Sequence, residues 1–284
     1  MKIFFTERPI SEENLKPFQT TTHIIQYPKE DIPDVHEFGR TELIQTIKDL
    51  KVDVLVVGFK FDINAEILGG GNFSDHKIKA VFTRTTGTDH IDLEWCKDVG
   101  IEVIPLVGSE LGDVEAVPLL TLWAILELVR KRGRRELKGK TLGIIGYGRI
   151  GKILGSYAQN LGMRVAIDDK EYNGIGLEGL LENSDIVSLN ISSTEENRNF
   201  FDREKFEMMK DGSYFLNSSR GWLVDESALK WALESGKLAG AWSDFPVGFS
   251  HENLLITNHI GGSTLESSLK TEKIIVGKLL EYLK

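Results

Sequence analysis

Thr141-Leu142-Gly143-Ile144-Ile145-Gly146-Tyr147-Gly148-Arg149-Ile150-Gly151 is the stretch that decides how this chain folds. A short apolar run, 142–145, leads directly into Gly146, Gly148 and Gly151 in the spacing G-x-G-x-x-G, and a helix-like segment, 150–161, follows. The order is strand, tight turn, helix. In such a unit the first glycine permits the turn, the second lets backbone approach a pyrophosphate, and the third lets helix and strand pack closely, with the anion on the helix N-terminus. Glycines punctuate many turns, so the triplet needs support. It comes from the next strand-like run, 163–167, which ends in Asp168, about twenty residues on, where an acid can hydrogen-bond an adenine ribose. These features predict a dinucleotide-binding turn.

The chain has 284 residues, 41% hydrophobic and 27% charged, which suits soluble globular material of about two domains. A formal charge of −9 argues against a nucleic-acid or anionic-membrane partner, and the locally basic run 130–135 (RKRGRR) reads as a solvated helix end. The single cysteine, Cys96, excludes an internal disulfide framework and a cysteine-rich metal site; the six histidines form no close H-x-x-x-H pair, so no metal is expected. With no signal-like N-terminus and no apolar run of membrane length, a cytoplasmic location is the expectation.

Upstream of the glycine turn, the runs 2–6, 23–27, 52–58, 80–85 and 102–106 are β-branched or apolar and read as buried parallel strands. Amphipathic segments separate them, such as 40–50 with Leu43, Ile44, Ile47 and Leu50 at helical spacing. This alternation predicts an α/β unit of about five strands. Residues 111–130 read as one long apolar helix covered on more than one side, starting or bending at Pro118. The runs 141–145, 164–167, 186–190, 213–217, 238–242 and 254–257 then predict a six-stranded doubly wound domain. Residues 263–283 form a terminal amphipathic helix with a capping-box signature, Ser263 with Glu266.

The chemistry-bearing residues lie where strands end. Thr86-Gly87-Thr88 follows the fourth strand, at the carboxyl edge where open α/β sheets hold ligands, and as local sequence it reads equally as a turn-rich loop. Arg220, in Asn217-Ser218-Ser219-Arg220-Gly221, can grip a carboxylate bidentately. His259, in Asn258-His259-Ile260-Gly261-Gly262-Ser263, can move a proton near neutral pH. Alone, such an Arg is most often a surface charge and such a His a hydrogen-bonded loop residue; beside a dinucleotide turn the pair points to hydride-transfer chemistry.

Five segments in order, TTGTDHID (85–92), LGIIGYGRIG (142–151), NSSRGWLVDESAL (217–229), LAGAWSD (238–244) and NHIGGST (258–264), resemble the signatures of the D-isomer-specific 2-hydroxyacid dehydrogenases. The resemblance implies a Rossmann-type NAD-binding domain over 111–263 and a flavodoxin-like substrate domain over 1–110 completed by 264–284, with NAD and substrate in the cleft. It implies Arg220 on the keto acid's carboxylate and carbonyl, His259 as general acid/base, and Thr86, Gly87 and Thr88 as carboxylate donors. Gly146, Tyr147, Gly148, Arg149, Ile150 and Gly151 would surround the pyrophosphate and Asp168 the ribose. Asp244 would meet the nicotinamide carboxamide, and Asn190, Ser219, His259 and Gly261 complete the implied cofactor contacts. The carboxylate of Asp168 favours NAD over NADP.

The chain also departs from that pattern. The family's Glu, which supports the catalytic histidine, is replaced by Phe249 in Asp244-Phe245-Pro246-Val247-Gly248-Phe249, and Glu252 is the nearest remaining acid. The link 131–140 is shorter than the usual subunit-embracing arm, which weakens but keeps the expectation of a homodimer. Glu115-Ala116-Val117 stands where V-A-E is usual, and Pro105 where Asn is usual. Lys60 and Arg84 could serve a phosphorylated acid, Phe59 and Phe61 a more apolar one. Two functions are consistent with these residues: an NAD-dependent oxidoreductase of a small 2-hydroxy or 2-keto acid, and an NAD(H)-binding sensor that has lost efficient hydride transfer.

Overall fold

The computed structural model describes residues 1–7, 10–19, 24–26, 39–69, 78–112, 114–172 and 174–284. The chain forms two compact units, Met1–Gly112 with Ser268–Lys284, and Asp113–Ser267.

The first unit carries five parallel strands, β1 (Lys2–Phe5), β2 (Ile24–Gln26), β3 (Val54–Val57), β4 (Ala80–Thr83) and β5 (Glu102–Ile104). Their order, β2-β1-β3-β4-β5, is the flavodoxin-like one. The predicted strand at 23–27 is present at Ile24–Gln26, and its two ends lie outside the described residues. Every side chain of β3 and β4 is buried, as a parallel strand covered on both faces requires. The connecting helices are α1 (Glu12–Gln19), α2 (Arg40–Leu50), α3 (Ala65–Leu68), α4 (Leu93–Asp98) and α5 (Gly108–Leu111). Side-chain caps start two of them: Asn64 accepts the N–H groups of Glu66 and Ile67, and Asp92 that of Trp95.

The second unit opens with α6 (Ala116–Ile125), which continues as a π-helical segment, Leu126–Arg132. The single helix expected over 111–130 is therefore broken: α5 ends at Leu111, and α6 begins only at Ala116. Pro118 does not start α6 but sits at its third residue, where the missing N–H would have had no intrahelical acceptor. Six parallel strands follow, β6 (Thr141–Ile145), β7 (Arg164–Asp168), β8 (Ile186–Leu189), β9 (Ser213–Asn217), β10 (Leu238–Ser243) and β11 (Leu254–Ile256), in the order β11-β10-β9-β8-β6-β7. Helices α7 (Arg149–Asn160), α8 (Leu177–Asn183), α9 (Arg203–Met208) and α10 (Glu226–Glu234) connect them. The order reverses beside β6, so the glycine turn after β6 lies at the switch point, where doubly wound sheets bind ligands.

The last helix, α11 (Leu265–Tyr282), returns to the first unit and buries Ile275, Val276 and Leu279 against Ile3, Phe5, Val54, Val56 and Phe82. Its start is not the expected Ser263–Glu266 box: Thr264 Oγ1 accepts the Ser267 N–H at 3.2 Å. Polar anchors fix the helix as well. Lys278 Nζ donates to the Pro105 carbonyl at 3.2 Å and pairs with Glu110 at 3.0 Å. Glu272, 7% exposed, accepts the N–H and hydroxyl of Ser11 at 2.7 and 2.6 Å and the Asn14 amide at 2.9 Å.

Burial opposes the charge on Glu272, but the Ser11 and Asn14 donors and the positive field of Arg84 outweigh it and hold its pKa below the usual 4.5. A carboxyl depressed in the folded state stabilises above its unfolded pKa, and that contribution is lost as pH falls through the lower folded value. Glu272→Gln is expected to cost about 1 kcal/mol at pH 7. In urea unfolding curves the gap to wild type should narrow once the pH drops below the ordinary carboxyl value of 4.5; a gap independent of pH would show that the carboxylate's charge contributes nothing.

Candidate active site at the carboxyl edge of the second sheet

The three glycines after β6 meet three different constraints. Gly146 has φ +89°, and a Cβ there would lie 2.6 Å from the Asn190 carbonyl oxygen, so only glycine turns the chain at this point. A Cβ on Gly151 would lie 2.4 Å from the Gly146 carbonyl oxygen, which is the close helix–strand approach. Gly148, by contrast, precedes α7, and a Cβ there would meet nothing within 4 Å. The space over Gly148 is open, and the first N–H groups of α7 have no intrahelical acceptor, so a pyrophosphate fits this cradle. Ile150 is half-buried, and the guanidinium of Arg149 donates to the Val114 carbonyl at 2.5 Å.

Beside the turn stand two acids, and sequence spacing could not separate them. Asp168 ends β7 and is half-buried; burial, then the neighbouring Asp169, raises its pKa. The carboxylate that reaches the glycine turn is that of Asp169, one residue further on. It accepts the Tyr147 N–H at 2.6 Å and the Glu171 N–H at 2.9 Å, and these donors lower its pKa. Tyr147 in turn packs edge-on against Tyr172, ring centroids 5.0 Å apart. The tandem Asp-Asp was the available signal for Asp169, whereas Tyr172 had none.

The segments after β8 and β9 interlock. Asn190 Oδ1 accepts the Ser218 hydroxyl at 2.9 Å, and Ser219 Oγ donates to the Leu189 carbonyl at 3.1 Å. Asn217 then fixes the loop from both sides, accepting the Ser219 N–H at 3.0 Å and donating to the Arg220 carbonyl at 2.8 Å. Arg220 leaves this loop half-buried, with Nη1 donating to the Ser219 carbonyl at 2.9 Å.

His259 is positioned from the next two strands. Asp244, immediately after β10, is 2% exposed. Its Oδ1 accepts the Thr257 hydroxyl at 2.7 Å and the Ile260 N–H at 2.9 Å, and its Oδ2 accepts the Gly261 N–H at 2.8 Å. The His259 N–H donates to the Asp244 backbone carbonyl. Asn258 and His259 both have positive φ, +51° and +61°, a conformation that costs a non-glycine residue about 1 kcal/mol or more. The bonds to Asp244 offset that strain. Gly261 is constrained for the same reason, since a Cβ there would lie 2.7 Å from Asp244 Oδ2. Both carboxylate oxygens of Asp244 thus hold the histidine loop. Phe245, which sequence reading passed over, lies 4.6 Å from the His259 ring, centroid to centroid, and 5.6 Å from the Arg220 guanidinium carbon.

Glu252 is not brought to His259. It precedes β11 whereas His259 follows it, a separation of three strand residues, or about 10 Å. Its side chain is exposed, and its backbone carbonyl accepts from Arg132 at 2.9 Å.

In the first unit, Thr86, Gly87 and Thr88 form the loop after β4. Thr85 Oγ1 braces it, donating to the Gly87 carbonyl at 2.7 Å and meeting Thr83 Oγ1 at 2.6 Å. Thr83 Oγ1 also lies 3.3 Å from Nε2 of the buried His90. Nearby, Glu7 accepts the N–H groups of Gly58 and Lys60 at 3.0 and 2.7 Å. Burial raises its pKa against the pull of those donors and of Arg84 and Lys60. Phe61 is buried and Phe59 exposed. Among the described residues no group of three or more His, Cys, Asp or Glu could hold a metal ion, and no helix is long and apolar enough to cross a membrane.

Comparison with known proteins agrees with this geometry. Residues 123–261 match the family model for the D-isomer specific 2-hydroxyacid dehydrogenase NAD binding domain. The chain is 31% identical to hydroxypyruvate reductase of Thermotoga maritima, over 86% of this chain and 88% of the relative. It is 32% identical to D-3-phosphoglycerate dehydrogenase of Haemophilus influenzae, over 85% of this chain but 66% of that longer protein. The structure superposes on D-lactate dehydrogenase of Aquifex aeolicus, solved with NAD and lactic acid, with a TM-score of 0.74 and 26% identity, covering 100% of this chain and 95% of that one. The glycine turn, the switch-point sheet and these relatives agree, and the chain belongs to the D-isomer specific 2-hydroxyacid dehydrogenase family, NAD-dependent oxidoreductases of small 2-hydroxy and 2-keto acids.

Proposed function

We propose that Arg220 and His259 are the substrate-gripping and proton-transferring groups of this oxidoreductase, and that its substrate is a small, unphosphorylated 2-keto acid. The observation that carries the assignment is convergence: Arg220 after β9 and His259 after β11 leave separate strands of one sheet edge and both come against one ring, Phe245. NAD, when bound, supplies the two-electron chemistry. The N–H groups of the turn 146–151 would hold its pyrophosphate, and Asp169, beside Asp168, would accept the ribose hydroxyls. Two adjacent carboxylates there repel the added phosphate of NADP.

Arg220 grips the substrate carboxylate through its planar fork, so the carbonyl carbon is presented in one orientation. His259 gives its proton to the carbonyl oxygen as that oxygen becomes a hydroxyl, and in the reverse direction takes it back. The unphosphorylated class is favoured by the surroundings of the two cations considered for a phosphate. Lys60 lies in the field of Glu7, and Arg84 in the fields of both Glu7 and Glu272. An NAD(H)-binding sensor without turnover is the less favoured reading, given relatives named as dehydrogenases and a reductase.

A homodimer is proposed through α6 and the turn that follows it. Leu119, Trp123 and Leu126 recur at helical spacing and are 48, 43 and 40% exposed. In sedimentation velocity, Trp123→Asp is expected to convert a dimer to a monomer; a wild type that sediments as a monomer would remove the proposal.

NADH oxidation with glyoxylate, hydroxypyruvate, pyruvate and phosphohydroxypyruvate tests the reaction. His259→Ala is expected to lower kcat by about 100-fold or more, and Arg220→Ala to lower kcat/KM by about 100-fold. Wild-type rates in both variants would sink the assignment, and preference for the phosphorylated acid would sink the substrate class. In fluorescence titrations, Asp169→Asn should weaken NADH binding by about tenfold, more than Asp168→Asn does; the opposite ranking would return the ribose to Asp168.

A further inference from the structure

We propose that Phe245 is a positioning residue, an aromatic clamp that fixes the His259 imidazole and the Arg220 guanidinium in one relation to each other. This rests on the assignment of Arg220 and His259 as the working pair. Asp244 engages Thr257, Ile260 and Gly261 and so fixes the backbone of the histidine loop; the orientation of the imidazole on that backbone is a separate freedom, set by what its ring touches.

Phe245 is placed to set that orientation. Its ring is 8% exposed, lies 4.6 Å from the imidazole at an interplanar angle of 47°, and has the Arg220 guanidinium carbon 5.6 Å from its centroid. The backbone that carries it is pinned by one buried hydroxyl: Ser243 Oγ donates to the Phe245 carbonyl at 2.8 Å and accepts the Phe245 N–H at 3.1 Å. The other side is closed by Gly221, where a Cβ would come 3.3 Å from the Phe245 Cβ. A rigid ring in a fixed seat restricts both neighbours. The imidazole cannot swing without losing its ring contact, and the guanidinium is drawn toward a π system. Positioning of this kind matters because misplacing a reacting group by about 1 Å costs about 100-fold in rate.

The test compares wild type with Phe245→Leu, which keeps apolar bulk but removes the ring, and Phe245→Tyr, which keeps the ring. Phe245→Met is a second ring deletion should Leu fail to fold. Two measurements are made on each. The first is the carbon-bound proton spectrum of protein labelled at its six histidines, with the His259 resonance assigned through His259→Gln. The second is steady-state reduction of the best 2-keto acid, with KM and kcat separated and NADH affinity measured by fluorescence.

Loss of the ring is expected to move the His259 resonance and to lower kcat by about tenfold or more, with NADH affinity unchanged and Phe245→Tyr within about threefold of wild type. A His259 resonance that stays in place in Phe245→Leu, or a kcat that stays within about twofold of wild type in an active enzyme, would overturn the clamp. A wild type that binds NADH and reduces none of the acids, while Phe245→Leu still moves the resonance, would uphold the ring contact and remove the dehydrogenase role of the pair instead.

Discussion

A carboxylate withdrawn from water must have its lone pairs satisfied by the protein, and the chemical end of the second sheet is built around one such group, Asp244. Its two oxygens hold a hydroxyl and two backbone N–H groups of the segment 257–261. That segment contains two consecutive non-glycine residues with positive φ, a conformation that isolated sequence would not adopt. The position of His259 therefore depends on a group fifteen residues earlier in the chain, on the neighbouring strand. The glycine turn obeys the same logic with sterics in place of hydrogen bonds: Gly146 and Gly151 exist because backbone occupies the space a side chain would need.

The two units carry different types of group. The second carries the glycine turn, Arg220 and His259, all at the carboxyl edge of its parallel sheet. The first carries a loop braced by threonine hydroxyls, with Glu7 in the field of Arg84 and Lys60 and Glu272 in that of Arg84. A phosphate held by Lys60 or Arg84 would meet these carboxylate fields as well.

Much of this was legible in the sequence. Period and composition gave both parallel sheets, because buried parallel strands leave near-continuous apolar runs such as Val54–Val57. The glycine spacing gave the switch-point turn, and the residues after strands gave Arg220 and His259. What sequence could not resolve depends on direction or on distant partners. Spacing alone cannot say which of Asp168 and Asp169 faces the turn, since consecutive residues at a strand end point different ways. Glu252 looked near to His259 along the chain, but a strand lies between them. Phe245 reads as one more core aromatic until the loops that bring its two neighbours are in place. Gly112, Asp113, Val114 and Glu115 stand between α5 and α6, and that polar interruption was the available signal for the break.

The return of α11 to the first unit has a consequence for synthesis. A chain made from its N-terminus exposes the strands β1, β3 and β4 long before Ile275, Val276 and Leu279 exist to cover them. All the strands of the second unit, by contrast, are complete once Ile256 has been made. On the ribosome the later-encoded unit can therefore close first, while the earlier one waits with an open apolar face for the final helix. The vulnerable interval for aggregation is the time needed to translate everything between β5 and α11.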